Sequence, residues 1–467
     1  MKTTDNYFPE FAAKMRQAGL SEASVQAFQF AYTTLVGGAT GFIPEDSIQP
    51  VAELPRLEGL AGNRSAPTSL LAETVVLKLN GGLGTGMGLE RAKSLLPVAN
   101  GLTFLDFIVR QTLHLRNQHG PALQFLLMNS FSTSRDTLNA LGKYAELGAP
   151  ESLELMQNQI PKVEAATLRP LKWPTNAQLE WCPPGHGDLY PALLGSGWLE
   201  RLLQGGKKYL FVSNSDNLGA VLDLDLLAHF AESDRGFLME VAERTSSDRK
   251  GGHLAERGSK LLLRESAQCP ESDSAAFQDI QRHRFFNTNN LWVRLDRLQE
   301  LLGKHGGFLP LPMIKNSKTA DPRDKNSPAV FQLETAMGAA IECFDDAAAV
   351  AVPRTRFAPV KTTADLLALR SDAYQVTPDW RIILVNDDGT PPPAIDLDGN
   401  HYKMVEQLET KLCGGVPSLK DCRELKVSGP VLFQSGNVFR GKVELVNRSS
   451  TGRALPAGTY ADGTFEV

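Results

Sequence analysis

Residues 74–97 read TVVLKLNGGLGTGMGLERAKSLLP, and the rest of the chain is organised around them. Val75, Val76, Leu77 and Leu79 make an apolar, β-branched run that predicts a buried strand. Asn80, Gly81 and Gly82 break it, and Gly84, Gly86 and Gly88 keep the following backbone bare. Glycines adopt positive φ and let N–H groups approach a ligand with no Cβ in the way. Arg91 and Lys93 then add positive charge. A bare, N–H-rich loop running into basic residues suits a polyphosphate.

Two known phosphate loops are excluded by spelling. A P-loop needs Gly directly before Lys-Ser and another five residues earlier. Ala92 and Met87 stand there. The dinucleotide fingerprint G-x-G-x-x-G needs Gly at Met87 or at Leu89 and fails at both. A nicotinamide dehydrogenase is therefore disfavoured.

The 467 residues exceed what one core supports, so two or three domains are expected. Hydrophobic residues at 42% and charged residues at 22% are ordinary for a globular chain. A net charge of -5 leaves no footprint for nucleic acid or an anionic membrane, so any phosphate site is built locally. The start, MKTTDNYFPEF, lacks the apolar core of a signal segment, and no run approaches membrane-span length. Cys182, Cys269, Cys343, Cys413 and Cys422 are scattered and form no Cys-x-x-Cys pair. That pattern predicts a reducing, cytoplasmic setting without disulfides or structural zinc.

Residues 1 to about 50 read as a helical segment. Ser21 is a candidate cap, Val25, Phe28, Tyr32 and Leu35 share one helical face, and Gly37-Gly38 stops the helix. Ile43 and Ile48 anchor the loop that follows. From about residue 70, strands and helices alternate. A helix with Phe104, Ile108 and Leu115 inward follows the glycine loop. Then come strand-like LQFLLMNS (123–130), helix-like TSRDTLNALGKYAELG and strand-like KKYLFVSNSD, ending at Asn214, Ser215 and Asp216. This rhythm predicts an α/β domain over residues 51–385, with a mostly parallel sheet and ligands beyond the strands' carboxyl ends. After about Asp388 the texture changes. TPPPAIDLDGN is a Pro-rich junction, and residues 386–467 carry short strands spaced by Gly429, Gly436 and Gly441, as in a small β-solenoid or sandwich. Such a domain leaves its ends open, which favours packing on a neighbour or on a second copy of the chain.

Four further stretches suggest chemistry. Asp216, in SNSDN, is a strand-end carboxylate suited to Mg²⁺, which takes few protein ligands and prefers phosphate and water. WCPPGHGDLYPAL (181–193) presents His186 between glycines. FFNTNNLWV (285–293) sets Asn287, Asn289 and Asn290 before an apolar strand, and amides both donate and accept, as sugar hydroxyls require. RTRFAPVK ends at Lys361, at the start of a helix where the dipole disfavours a cation. The inventory suits phosphoryl or nucleotidyl transfer, which depends on positioning and charge neutralisation.

Taken together, LNGGLGTGMG with AKS, MNSF, PPGHGDLYPAL, SNSDNLGA, FNTNNLW, QLETAMGAAI and RFAPVK resemble the eukaryotic-type UDP-glucose pyrophosphorylase family. The resemblance runs from about residue 70 to the C-terminus. UDP-N-acetylhexosamine pyrophosphorylases are more loosely similar; they and typical bacterial glucose enzymes carry Arg where this chain has Gly86. The chain departs from many members at Arg91-Ala92, where they have Gly-Pro. The resemblance implies a Rossmann-like nucleotidyltransferase core, a mixed but mostly parallel sheet flanked by helices, with a C-terminal left-handed β-helix. It implies that UTP and glucose 1-phosphate give UDP-glucose and pyrophosphate with Mg²⁺. It further implies that the backbone of Leu79, Asn80, Gly81 and Gly82 holds uracil, with Gln157 and Gly185 reading its edges. Lys93 would grip the UTP phosphates, Asp216 would hold Mg²⁺, and His186 would face the sugar phosphate. Asn214, Glu265, Asn287 and Asn289 would hold glucose hydroxyls, and Lys361 would bind phosphate oxygens at the reacting centre. Gln157 and Glu265 enter through the resemblance alone. A different or broader sugar preference, and a UDP-sugar-binding protein on an inactive scaffold, are the competing readings.

Overall fold

The computed structural model describes residues 6–60, 68–245, 248–386 and 391–467. The first five residues, the change of texture at Asp388 and the first residue of the Pro-rich junction lie outside them. Two helices open the chain, α1 (Phe8–Gln17) and α2 (Glu22–Val36). Ser21 caps α2 by accepting from the Ser24 amide at 3.3 Å. Val25, Phe28, Tyr32 and Leu35 are buried, as their 3.6-residue spacing predicts, and pack with Phe11 and Met15 of α1 on Ile160, Val163 and Leu333. Ile43 and Ile48 pack on Ala255 and Leu262, which holds the following loop against the main body.

The central sheet is mixed. Its backbone is set by β1 (Thr74–Asn80), β2 (Gln124–Asn129), β3 (Glu154–Met156) and β4 (Tyr209–Asn214), all parallel, in the order β4-β1-β2-β3. Helices α3 (Phe104–His119) and α4 (Ser134–Leu141) supply the crossovers around β2. Thr103 caps α3 and Asp106 returns the bond, a reciprocal arrangement that satisfies two otherwise orphaned donors. Alternate residues feed two cores on opposite sheet faces. Val76, Phe125, Leu127 and Phe211 enter one, and Val75, Leu77, Leu126 and Val212 enter the other. Strands buried on both faces read as continuous apolar runs, which is why β1 was legible.

The other half is antiparallel, a correction to the mostly parallel sheet expected. It holds β5 (Phe237–Glu243), β6 (His253–Arg257), β7 (Lys260–Arg264), β8 (Phe285–Arg294) and β9 (Ala348–Ala351). β8 runs against both β4 and β5, β6 pairs with β7 as a hairpin, and only β5 with β9 is parallel there. The three amides of residues 287–290 lie inside β8 and not before it. Along one edge β8 changes neighbours, pairing β4 over residues 291–294 and β6 at Phe286. Asn289 adopts φ 59, and the register against β5 slips between Glu240 and Val241. This irregularity opens the sheet beside the carboxyl end of β4.

Helix α5 (Thr363–Arg370) leads toward the C-terminal part. There β10 (Ala394–Leu397), helix α6 (Val405–Lys411), β11 (Ser418–Ser428), β12 (Asn437–Val446) and β13 (Gly458–Glu466) follow in order. The four strands form a sheet, paired in parallel in chain order, where an antiparallel sandwich would pair them in opposite directions. Leu425, Val427, Val443 and Leu445 belong to the same apolar cluster as Phe104 and Phe107, so the core runs on without a break into the part that holds the central sheet.

Candidate active site

Carboxyl ends of parallel strands share one rim of a sheet, and three expected site elements meet there for that reason. Asn80 lies opposite Asn129 and Leu79 opposite Asn214 in the ladder. The Asn80 side chain is used to fasten the rim. Its amide donates to Asn129 Oδ1 at 2.7 Å and to Thr137 Oγ1 at 2.9 Å. In the backbone beside it, the Leu79 carbonyl accepts the Ser215 amide at 3.1 Å. Ser130 Oγ donates to the Gly81 carbonyl at 2.8 Å, fixing that peptide.

Gln157 sits on the same rim because it follows β3 directly, its amide bonded to the Asn129 carbonyl at 2.7 Å. A side-chain carbon at Gly81 would lie 2.7 Å from Gln157 Oε1, so the bare backbone lets this side chain pack close. Gln157 Nε2 donates to the Gly185 carbonyl at 3.0 Å. Gly81, Gln157 and Gly185, brought together from three segments, form one wall of the site. Asn158 continues it, its amides donating to Asp188 at 2.7 and 3.0 Å.

The PPGHGD loop is seated on residues 335–338. Gly185 has φ 81, and a side-chain carbon there would lie 2.5 Å from the Thr335 carbonyl. Gly187 N donates to that carbonyl at 2.8 Å. His186 is partly buried, and its Nδ1 accepts the Met337 amide at 2.9 Å. Burial lowers its pKa to about 4, so the ring is neutral near pH 7. Because Nδ1 accepts, the remaining proton sits on Nε2, which is a donor. Gly338 closes the circuit toward the amides of β8, since a side-chain carbon there would lie 3.2 Å from Asn287 Nδ2.

Lys93 and Asp216 meet across the opening. The Lys93 amide donates to the Gly82 carbonyl at 3.1 Å, and its Nζ donates to Asp216 Oδ2 at 2.7 Å. Arg91 points out and is exposed. Asn287 and Asn289 bond each other, Asn287 Nδ2 to Asn289 Oδ1 and Asn289 N to Asn287 Oδ1, both at 2.9 Å. Burial raises the Glu265 carboxyl, and the Lys361 charge and the Asn287 amide pull it part of the way back. Glu265, Asn287 and Lys361 thus lie within electrostatic reach of one another. Lys361 is exposed, lies 5.7 Å over the Phe286 ring, and precedes the Thr362 cap of α5. The structure thus brings Lys93 to Asp216, Gln157 to Gly81 and Gly185, and Asn287 to Asn289.

Among the described residues no three His, Cys, Asp or Glu side chains converge on a metal position. A single carboxylate, Asp216 beside Lys93, still fits Mg²⁺, an ion that takes few protein ligands and prefers water and phosphate oxygens. No described helix is long and apolar enough to cross a membrane. Cys182, beside the PPGHG loop, is buried, and burial pushes its thiol up to about 12, so thiolate is scarce near neutral pH. Sequence reasoning passed over Asn217, Glu240 and Arg356, which fasten the segments carrying Asp216 and Lys361. SNSDN and RTRFAPVK were visible as motifs, but nothing local tied one to the other.

The sequence profile of the UTP–glucose-1-phosphate uridylyltransferase family matches residues 25–440. The chain is 40% identical over 418 residues to the UTP–glucose-1-phosphate uridylyltransferase of Solanum tuberosum, covering 89% of this chain and 84% of that one. The probable enzyme of that name from Schizosaccharomyces pombe is 38% identical over 84% of this chain and 76% of its own. A crystal structure of a mutant UDP-glucose pyrophosphorylase from Leishmania major in complex with UDP-glucose superposes with a TM-score of 0.95 at 48% identity, covering 99% of this chain and all of that one (100%). A UDP-glucose phosphorylase from Trypanosoma brucei gives 0.92 at 48%, again over 99% and 100% of the two chains. With agreement of this extent in sequence and in fold, the chain belongs to the UTP–glucose-1-phosphate uridylyltransferase family, whose activity yields UDP-glucose.

Proposed function

We propose that the rim described above performs this uridylyl transfer by direct, in-line displacement. A phosphate oxygen of glucose 1-phosphate attacks the α-phosphorus of UTP. The new P–O bond gives UDP-glucose, and the bond to the β-phosphate breaks to release pyrophosphate. No group on the protein forms a covalent intermediate, and no proton need be removed from the attacking phosphate. The observation that carries this reading is the Lys93–Asp216 pair at the end of β1 and β4, with Lys361 on the adjoining loop. It supplies a phosphate cation, a metal carboxylate and a second cation at one opening.

In this reading the backbone of Leu79, Asn80, Gly81 and Gly82 receives uracil, with Gln157 and Gly185 at its edges. His186 donates from Nε2 to the sugar phosphate. Asn214, Glu265, Asn287 and Asn289 hold glucose hydroxyls. Lys93 holds UTP phosphates, and Lys361 meets oxygens at the reacting phosphorus, where preorganised charge lowers the barrier most. Asp216 would hold Mg²⁺, which when bound neutralises phosphate charge. We read residues 51–385 as the Rossmann-like catalytic domain, residues 1–50 as its helical brace, and residues 386–467 as a left-handed β-helix whose last strand, β13, offers a face to a second copy. A cytoplasmic setting goes with the free thiols.

The test is pyrophosphate release from UTP and Mg²⁺ across a panel of sugar 1-phosphates, with wild type and Asp216→Ala in parallel. Release with glucose 1-phosphate alone, lost in the variant, supports the reading. Equal rates across sugars replace glucose preference with broad use. Binding of UDP-glucose without release by any sugar overturns the catalytic reading.

A further inference from the structure

The geometry points to Asn217 as a positioning residue for the reaction: its buried side-chain amide clamps the loop that carries Lys361 onto the turn that carries Asp216. Asn217 is 1% exposed and directly follows Asp216. Its Nδ2 donates to the Arg356 carbonyl at 3.1 Å, and its Oδ1 accepts the Ala358 amide at 3.0 Å. One side chain thus holds two peptides of residues 356–358, an arrangement a smaller side chain does not reproduce. Two residues on, the Val360 amide donates to the Asp216 carbonyl at 3.2 Å, immediately before Lys361. The loops also meet backbone to backbone, since a side-chain carbon at Gly219 would lie 2.3 Å from the Thr355 carbonyl.

The clamp is anchored from below. Arg356 makes two bonds of 2.8 Å to the fully buried Glu240 of β5, one from Nε and one from a terminal nitrogen. Asn290 and Trp292 of β8 add donors to the same carboxylate at 3.1 and 2.9 Å. Four donors satisfy the buried charge, so the Arg356 backbone is a fixed post. Lys78 of β1 pins the other side of the turn, its Nζ donating to Ser213 Oγ at 2.7 Å and to the Ala220 carbonyl at 2.5 Å. The turn between those points carries Asn214, Asp216 and Asn217. Lys361 itself is exposed and makes no side-chain hydrogen bond that would orient it from outside; its placement comes through its backbone. The separation between the metal carboxylate and the reacting-centre lysine is therefore set by Asn217 before any substrate arrives. Preorganisation of this kind matters because a displacement of about 1 Å can cost about 10²-fold in rate.

The inference rests on the roles given above to Lys361 and Asp216, and Lys361→Ala tests those roles separately. Asn217→Ala is expected to lower kcat by roughly 10- to 100-fold while KM for UTP and for glucose 1-phosphate stays within about threefold. A general loosening of the fold would instead raise KM and lower Tm with it. The decisive measurement is the double variant. In a Lys361→Ala background, adding Asn217→Ala is expected to cost less than about threefold more, because the amide acts through the lysine. Full additivity of the two losses, or a single-variant kcat within threefold of wild type, overturns the proposal. Should Asn217→Ala fail to fold, Asn217→Asp is measured in its place. It keeps the acceptor for the Ala358 amide and removes the donor to the Arg356 carbonyl, and the same non-additivity with Lys361→Ala is required of it.

Discussion

Lys93 Nζ lies 2.7 Å from Asp216 Oδ2, with 15% of one side chain and 19% of the other exposed. The ammonium and the carboxylate proposed to serve phosphate and metal neutralise one another across the mouth of the site. An ion pair this sheltered is screened less than a surface pair. In the proposed reaction Lys93 would pair with phosphate and Asp216 would hold Mg²⁺ in place of this ion pair.

Asp216→Ala should therefore do two things. Turnover should fall by about 10²- to 10³-fold, the usual loss for one electrostatic partner at a reacting centre. The Mg²⁺ concentration needed for half-maximal rate should also rise. A variant with unaltered Mg²⁺ dependence would remove the metal role from Asp216.

Lys361→Ala should lose about 10²- to 10³-fold in turnover while the thermal midpoint holds. The side chain is exposed and its amide, not its ammonium, joins the α5 capping network through Asp365 at 2.8 Å. Turnover within about threefold of wild type would sink the role proposed for it.

Gly185→Ala should act on nucleotide binding. Its φ of 81 belongs to a region that side chains avoid, and the added carbon would strike the Thr335 carbonyl at 2.5 Å. The Gly185 carbonyl that Gln157 holds would move with the loop. We expect KM for UTP to rise about tenfold or more, with a smaller change for glucose 1-phosphate. Steady-state kinetics with each substrate varied in turn decides it; equal changes for both substrates would count against the wall as a nucleotide site.

Asp188 makes stability depend on pH. Burial raises its carboxyl from 3.8 to about 7, the Asn158 donors opposing the rise. A group whose folded pKa is raised contributes stability that is full below its unfolded value and is lost as pH climbs through the folded value. The loss thus falls between about pH 4 and pH 7. Asp188 Oδ2 accepts the Asn158 backbone amide at 2.7 Å and Asn158 Nδ2 at 3.2 Å, and Oδ1 accepts the same Nδ2 at 3.0 Å, so Asp188→Asn can keep the Oδ2 bonds and loses the Oδ1 bond, a cost that does not vary with pH. The thermal midpoint of Asp188→Asn minus that of wild type should rise by a few degrees from about pH 5 to pH 7 and then level off. A difference independent of pH would show that Asp188 titrates normally.

How far each of these features was legible follows from the range of the forces involved. Ser21 before an apolar 3.6-residue pattern announced α2, and Val75, Val76 and Leu77 before Asn80-Gly81-Gly82 announced β1 and its loop. Those signals are local, because caps and periodicity involve residues one to four apart. The shared rim was legible too, since parallel strands must put their carboxyl ends on one side. The motif resemblance supplied Gln157 and Glu265, whose own neighbourhoods carry no such signal.

Only the folded chain decided the rest. Lys93 and Asp216 are 123 positions apart, and Asn217 and Arg356 are 139 apart. No periodicity records a pairing over that distance, because it depends on which strands become neighbours. The antiparallel half of the sheet has the same origin. β8 has apolar residues on either side of an amide-rich middle, and nothing in that pattern records that it runs antiparallel to both β4 and β5. The sequence by itself determined the strands, the bare loop and the chemistry available at the rim. Tertiary packing decided which charges face each other across it, since burial and distance, and not spelling, set the strength of an electrostatic contact.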